Sequence, residues 1–302
     1  MSACVIIKHM EKKNIYLSIS IIIAALILAG AWFYSTELKN QNPSSRNNLL
    51  ENNLPGKEVL PPEGIALPVR WGDLGLKMTN AGVIDAEKFE SLYAERGGIP
   101  DEVKNLLYGS KNGNLKITAE NSGAILNLLW AFGLGNKNEI LDNGPMTDKK
   151  YGGAGRFAST GGWSLAKGDA MDHYSKHIFI SLTPEQQKLV EQVSKNIYRS
   201  CCDNSTYFPD CNHGMAMLGL LELLAAGGAN EEEMYKSALQ VNSYWFPGTY
   251  LTIAEYFKKR GLEWNEVDPK EVLGSAYSSA SGYGRILKEI NPSQSGGASC
   301  GV

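Results

Sequence analysis

From Asn14 to Thr36 the chain carries no charged residue, and the core of that run, IYLSISIIIAALILAGAWFY, is long enough to cross a hydrocarbon layer of about 30 Å as a helix. The expected element is one transmembrane helix over residues 14–36. Lys8, Lys12 and Lys13 precede it against a single acid, Glu11, while only Glu37 and Lys39 follow closely. That excess of positive charge places residues 1–13 in the cytoplasm and the rest of the chain outside it, periplasmic or at the cell surface. Trp32, Phe33 and Tyr34 suit an aromatic belt at the outer headgroup level. Ala29-Gly30-Ala31 has the small-x-small pattern of a peptidase site, so a cleaved signal peptide is the rival reading; it changes tethering but not compartment. Leu28-Ala29-Gly30-Ala31 looks like a lipobox without its acceptor cysteine, and no lipidation is expected.

Residues 37–66 are rich in Asn and Pro, with Pro43, Pro55, Pro61 and Pro62 among them, and read as a flexible linker. Residues 67–290 form the expected globular domain. Their apolar periodicity is helical almost throughout and β-branched alternation is scarce, so the fold class is all-α. The ends of the helices are marked. Asp85 opens a run that stops at Gly97-Gly98, Pro100 opens another, and a turn is expected over Ser110 to Asn114. Ile125 to Leu134 is apolar nearly all round, which predicts a central core helix. Thr183, Pro184 and Gln186 form a capping signature for a helix expected to reach about Ser200. Three more helices follow, from about Gly214 to Gly227, from Asn230 to about Tyr244 and from Thr249 to Lys259. A last helical stretch is expected from Asp268 to about Ile290, followed by a flexible tail, 291–302. Lys plus Arg total 29 against 32 Asp plus Glu, a net charge of −3. With no basic stripe, nucleic acid is excluded as a partner; the membrane is the partner the first segment names.

The chain has four His and five Cys. Six of these nine residues, His173, His177, Cys201, Cys202, Cys211 and His213, fall between residues 173 and 213. Composition alone does not easily produce such clustering. His173 and His177 stand at i and i+4, so a helix over 168–177 would project both imidazoles from one face. Cys201-Cys202 ends one helix, a loop follows, and Cys211-Asn212-His213 opens the next. Unsatisfied N–H groups at a helix start stabilise thiolate and neutral imidazole, the forms that ligate metals. Cys211 is therefore the thiol expected to be most acidic.

Three readings of this cluster stand. Outside the cytoplasm, Cys211 can staple the loop to Cys201 or Cys202 while Cys300 pins the tail to the other. Alternatively Cys201, Cys202, Cys211 and His213, with His173 and His177, hold a transition metal, Zn or Cu. The third reading is thiol redox chemistry with Cys211 attacking. The order of helix, cysteine loop, apolar helix and then Ala225-Ala226-Gly227-Gly228-Ala229-Asn230-Glu231-Glu232-Glu233-Met234 covers about residues 185–240. It is similar to the thiol module of the cytochrome c maturation subunit that handles apocytochrome cysteines, and to small exported proteins with a Pro-Cys-Tyr-Cys motif. Those families carry C-x2-C or C-x-C where this chain has Cys201-Cys202 and a distant Cys211. The resemblance implies a membrane-tethered helical hairpin that presents thiols to metals or to thiol exchange. The Gly-rich stretch from Gly152 to Trp163 lacks a phosphate-loop ending and reads as a flexible loop covering the cluster, with Trp163 as a lid.

Overall fold

The computed structural model describes residues 56–94 and 97–290. The expected membrane helix, most of the linker, the tail, Cys4, His9 and Cys300 lie outside these residues. Among the described residues no helix is long and apolar enough to cross a membrane.

In chain order the elements are β1 (Ile65–Gly72), α1 (Leu74–Ala81), α2 (Ala86–Ala94), α3 (Asp101–Tyr108), β2 (Asn112–Ile117), α4 (Ser122–Gly135), α5 (Glu139–Asn143), α6 (Pro184–Ser194), α7 (Asn212–Ala226), α8 (Glu231–Trp245), α9 (Pro247–Lys258), α10 (Pro269–Leu273), α11 (Ser275–Ser278) and α12 (Ala280–Ile290). The described residues are mostly helical, as expected, but they contain an antiparallel pair of strands that the helical reading did not provide for. β1 and β2 run antiparallel with Ile65 opposite Ile117 and Gly72 opposite Asn112. Leu67, Val69 and Trp71 alternate inward from β1 and are buried, the period-2 pattern of a half-buried strand. Pro68 lies within the irregular stretch between Ala66 and Arg70, where the missing N–H costs no ladder bond. Asn112–Ile117 is thus a strand where a turn was expected. Residues 56–66, the described part of the expected linker, are structured. Val59 is buried and Leu60 N–H bonds back to Gly56 O at 2.8 Å, so the packed body already includes residues just after 55.

The centre is the crossing of α4 and α7. Both helices are apolar all round, and nearly every α7 residue from Gly214 to Ala225 is buried, as expected for helices with no solvent face. Close approach is set by two glycines. A Cβ on Gly133 would collide with Met215 O, and one on Gly219 would lie 2.7 Å from Leu129 O. Gly here lets the two backbones touch. At the end of the crossing the Glu222 carboxyl, fully buried, accepts a hydrogen bond from Asn136 Nδ2 at 2.6 Å.

Capping chemistry fixes the surrounding helices. Thr183 and Gln186 form a reciprocal capping box at the start of α6, and Asn230 and Glu233 do the same for α8. α6 ends at Ser194, six residues before the expected stop; the chain then turns back through Ile197 and Arg199. The single helix expected over 268–290 is broken into α10, α11 and α12. Gly274 and Ser279 are extended there, and Gly282 packs so closely on Ser275 O and Ala276 that α12 must fold back on α11. Between α5 and α6 only short 3-10 turns occur.

Candidate metal centre

The turn after α6 is held from several sides before any cysteine is reached. Tyr207 N–H bonds Ser194 O at 3.0 Å, Thr206 N–H bonds Ile197 O at 2.8 Å and Tyr198 N–H bonds Leu273 O at 2.8 Å. Ser200 Oγ meets Thr249 Oγ1 at 2.9 Å. The start of α12 then clasps the vicinal cysteines: Ala280 N–H donates to Cys202 O at 3.0 Å, and Ser281 donates to Asp203 through its N–H and its hydroxyl. These bonds place Cys201 and Cys202 against the N-terminus of α7.

Cys211 is the N-cap of α7, and its Sγ accepts the Gly214 N–H at 3.4 Å. Cys201 Sγ lies 3.6 Å from Cys211 Sγ. Cys202 Sγ is turned toward Asn204 O at 3.8 Å. All three are free cysteines on half-buried residues, so the disulfide staple of the first of the three readings is not formed within this trio. Two overlapping donor sets result, Cys201–Cys211–His213 and Cys202–Asp210–Cys211, in each of which one atom per residue lies within 4.8 Å of the others. The Cys/His cluster can hold a metal ion, and Cys211 belongs to both sets.

The cluster is built around Arg199, which is entirely buried. Its Nε donates to Cys211 Sγ at 3.1 Å, and its Nη2 donates to Phe208 O at 3.3 Å and to Asp210 Oδ1 at 3.0 Å. Asn204 Nδ2 holds the other Asp210 oxygen at 2.8 Å. The whole loop is therefore pinned to one guanidinium. A Cβ at Gly214 would stand 2.5 Å from Arg199 Nη2, so only glycine lets the guanidinium lie across the helix start. Arg199 Nη1 and His213 Nδ1 are buried without a hydrogen-bond partner.

Charge is distributed unevenly over the thiols. Hydrogen bonds from Cys201 and Cys202, with the charge and the Nε–H of Arg199, outweigh burial and hold Cys211 well below the usual thiol range. Cys201 is pushed up by its hydrogen bonds to Cys202 and Cys211 and by burial. For Cys202 the bond to Cys201 pulls down, but the bond to Cys211 and burial win and leave it at about 11. Cys211 is the acidic thiol, as expected, but through the neighbouring thiols and Arg199 rather than through the helix start. Burial, aided by the Arg199 charge and opposed by Cys211, lowers His213 to about 4; its imidazole is neutral at pH 7, the form that ligates metal. Trp245 and Phe246 pack edge-on and tilted against the same ring.

His173 and His177 are brought together, but with each other. His173 Nδ1 is 3.1 Å from His177 Nε2, and His173 Nε2 is 2.9 Å from Lys167 O. Neither belongs to the donor sets of the thiols. The helix over 168–177 that would have put both imidazoles on one face is absent: a 3-10 turn over Ala170–Asp172 and a left-handed Ser175, φ 53°, bend the chain, and the rings stack. Trp163 is no lid. It is buried, donates its indole N–H to Val83 O at 2.8 Å and packs on Trp130. The Gly-rich loop does reach the site, through Ser159 N–H to Asp210 O at 3.1 Å. The sequence reading missed Arg199 and Asp210. The signal was available in an arginine two residues before Cys201 and an acid directly before Cys211.

No family model matches this sequence, and no curated protein or solved structure shows significant similarity to it.

Proposed function

We propose that the protein binds a divalent transition metal, zinc in preference to copper, through Cys201, Cys211 and His213, with Cys202 or Asp210 completing the coordination. The observation that carries this reading is the convergence of two sulfurs and one imidazole nitrogen within 4.8 Å at a helix start. The spacing speaks to the ion. With Zn–S bonds of about 2.3 Å, two sulfurs on a tetrahedral edge stand about 3.8 Å apart, close to the 3.6 Å between Cys201 and Cys211. A collinear S–metal–S pair of the kind two-coordinate Cu(I) adopts would need about 4.6 Å at the same bond length.

Charge balance agrees. Three thiolates and Asp210 against one dication and the Arg199 guanidinium leave a single negative charge, on the partly exposed Asp210, whereas a monovalent ion would leave two, and a buried cluster is least costly when its charges cancel. Asp210 stands at the solvent edge of this group, its side chain 21% exposed and already paired with Arg199. The location we infer is extracytoplasmic, on a chain tethered by residues 14–36; the uncharged run and the lysines before it support this. The resemblance to exported thiol modules is in keeping with such a placement.

Equilibrium dialysis of the reduced protein against zinc, followed by elemental analysis, tests the reading. One zinc per chain is expected, with retention lost in Cys211→Ser while the circular dichroism of the helices is kept. Wild-type protein that retains no more zinc than Cys211→Ser would refute it.

A further inference from the structure

We propose that the centre is a redox switch: a disulfide between Cys201 and Cys211, formed by exchange with a low-molecular-weight disulfide, expels the metal. This rests on the metal-binding reading and assigns a means of release to the same site.

The geometry selects the pair. Cys201 Sγ and Cys211 Sγ are in van der Waals contact at 3.6 Å, so closing to the S–S bond length of about 2.05 Å requires a movement of about 1.5 Å. Cys202 Sγ lies within 4.8 Å of Cys211 Sγ but out of direct contact with it and bonded to Asn204 O at 3.8 Å, so Cys201 is the nearer partner, and a crosslink between the vicinal Cys201 and Cys202 is strained. Each of the three cysteines is a half-buried residue rather than a fully buried one.

Arg199 sets the direction of the first step. Its Nε–H and the Gly214 N–H both point at Cys211 Sγ and favour this sulfur as thiolate, the attacking form. The thiolate of Cys211 attacks one sulfur of the small disulfide RSSR; the RS–SR bond breaks, one RS⁻ leaves, and a mixed disulfide remains on Cys211. The Cys201 sulfur, once it has given up its metal bond or its proton, attacks the Cys211 sulfur and expels the second RS⁻. Two cysteines are oxidised, one small disulfide is reduced to two thiols, and the released thiolates take up protons from solvent or from Cys201.

Metal release follows from shared ligation. Cys211 belongs to both donor sets, and Cys201 to one of them. Once both are oxidised, neither set retains three donors. The crosslink is also reversible by construction, because the same Arg199 and Gly214 donors that favour the Cys211 thiolate as nucleophile favour it as leaving group when a reductant attacks Cys201.

The experiment loads the full-length protein with zinc under reducing conditions, removes the reductant and adds oxidised glutathione. Zinc release is followed with a chromogenic chelator, free thiols are counted, and the crosslink is located by peptide mass spectrometry. Expected are the loss of one zinc and two thiols per chain in step, a Cys201–Cys211 linkage, and recovery of zinc binding after reduction. Cys201→Ser is expected to stop at a glutathione adduct on Cys211, and Cys202→Ser to form the same crosslink as wild type. A linkage that joins Cys202 or Cys300 instead, or zinc that stays bound after the Cys201–Cys211 link has formed, would overturn the switch and leave the metal reading standing. Failure to retain zinc before any oxidant is added overturns the metal reading itself, and the switch with it.

Discussion

Glu222 lies at the end of the α4–α7 crossing with no exposed surface, and only one of its oxygens, Oε2, has a well-formed hydrogen bond, from Asn136 Nδ2. Burial raises its carboxyl from 4.5 to about 8, although the amides of Asn136 and Asn138 pull the other way. Between those two pH values the native protein keeps a proton that the unfolded chain has released. The sign follows from linkage: the unfolded state binds fewer protons, so stability is fully present below about pH 4.5 and falls as pH rises toward 8. Each pH unit is worth about 1.4 kcal/mol, and over about three and a half units the loss approaches about 5 kcal/mol. That is comparable with the whole stability of a typical domain. Glu222→Gln keeps the shape and cannot ionise. Its amide faces Asn138 Nδ2 donor to donor, a cost that does not vary with pH, so the informative quantity is the difference between the two proteins as a function of pH. Urea unfolding at intervals from pH 4 to 9 should show the variant gaining about 5 kcal/mol relative to wild type between pH 4.5 and 8, with a flat difference on either side. Parallel profiles, or a difference that moves in the wild type's favour as pH rises, would show that the two amides suffice to keep Glu222 ionised and would refute the argument.

Two further outcomes are expected. Gly219→Ala should lower stability by roughly 1–3 kcal/mol, because its Cβ would press on Leu129 O and the Gly133 backbone; Gly113→Ala, whose Cβ would meet nothing within 4 Å, is the control, and thermal melts that fall equally for both would contradict the account of the crossing. Arg199→Met should cost about 3–5 kcal/mol, since Asp210 and Cys211 lose their buried partner and Phe208 O its donor; a urea midpoint within error of wild type would show that the loop does not depend on this guanidinium.

Much of the helical framework was readable because its signals are local. Thr183-Pro184 with Gln186, Asn230 with Glu233, and the apolar runs of α4 and α7 act through neighbours within one or two turns. What was missed depended on distant partners. β1 and β2 are separated by three helices, and neither strand announces itself when β1 contains Pro68. The break of 268–290 into three pieces is set by the packing of Gly282 against the Ser275 and Ala276 backbone, which no cap or periodicity in that stretch encodes. For the centre, position at a helix start singled out Cys211, but its acidity comes from the neighbouring thiols and Arg199, partners that only the fold supplies; the clustering found Cys201, Cys202 and His213. Equal spacing on paper drew in His173 and His177, whose shared turn directs them to each other.

By itself the sequence determined the helices, their caps and the segment in which sulfur and imidazole accumulate, because those depend on side-chain chemistry over a few residues. Only the tertiary structure decided which of these groups meet. Arg199 needs partners nine to twelve residues away and a glycine at position 214 to lie across the start of α7, and α12 must return from much later in the chain to clasp Cys202. Convergence of this kind is fixed by packing in three dimensions, where the cost of burying a charge selects the geometry that neutralises it.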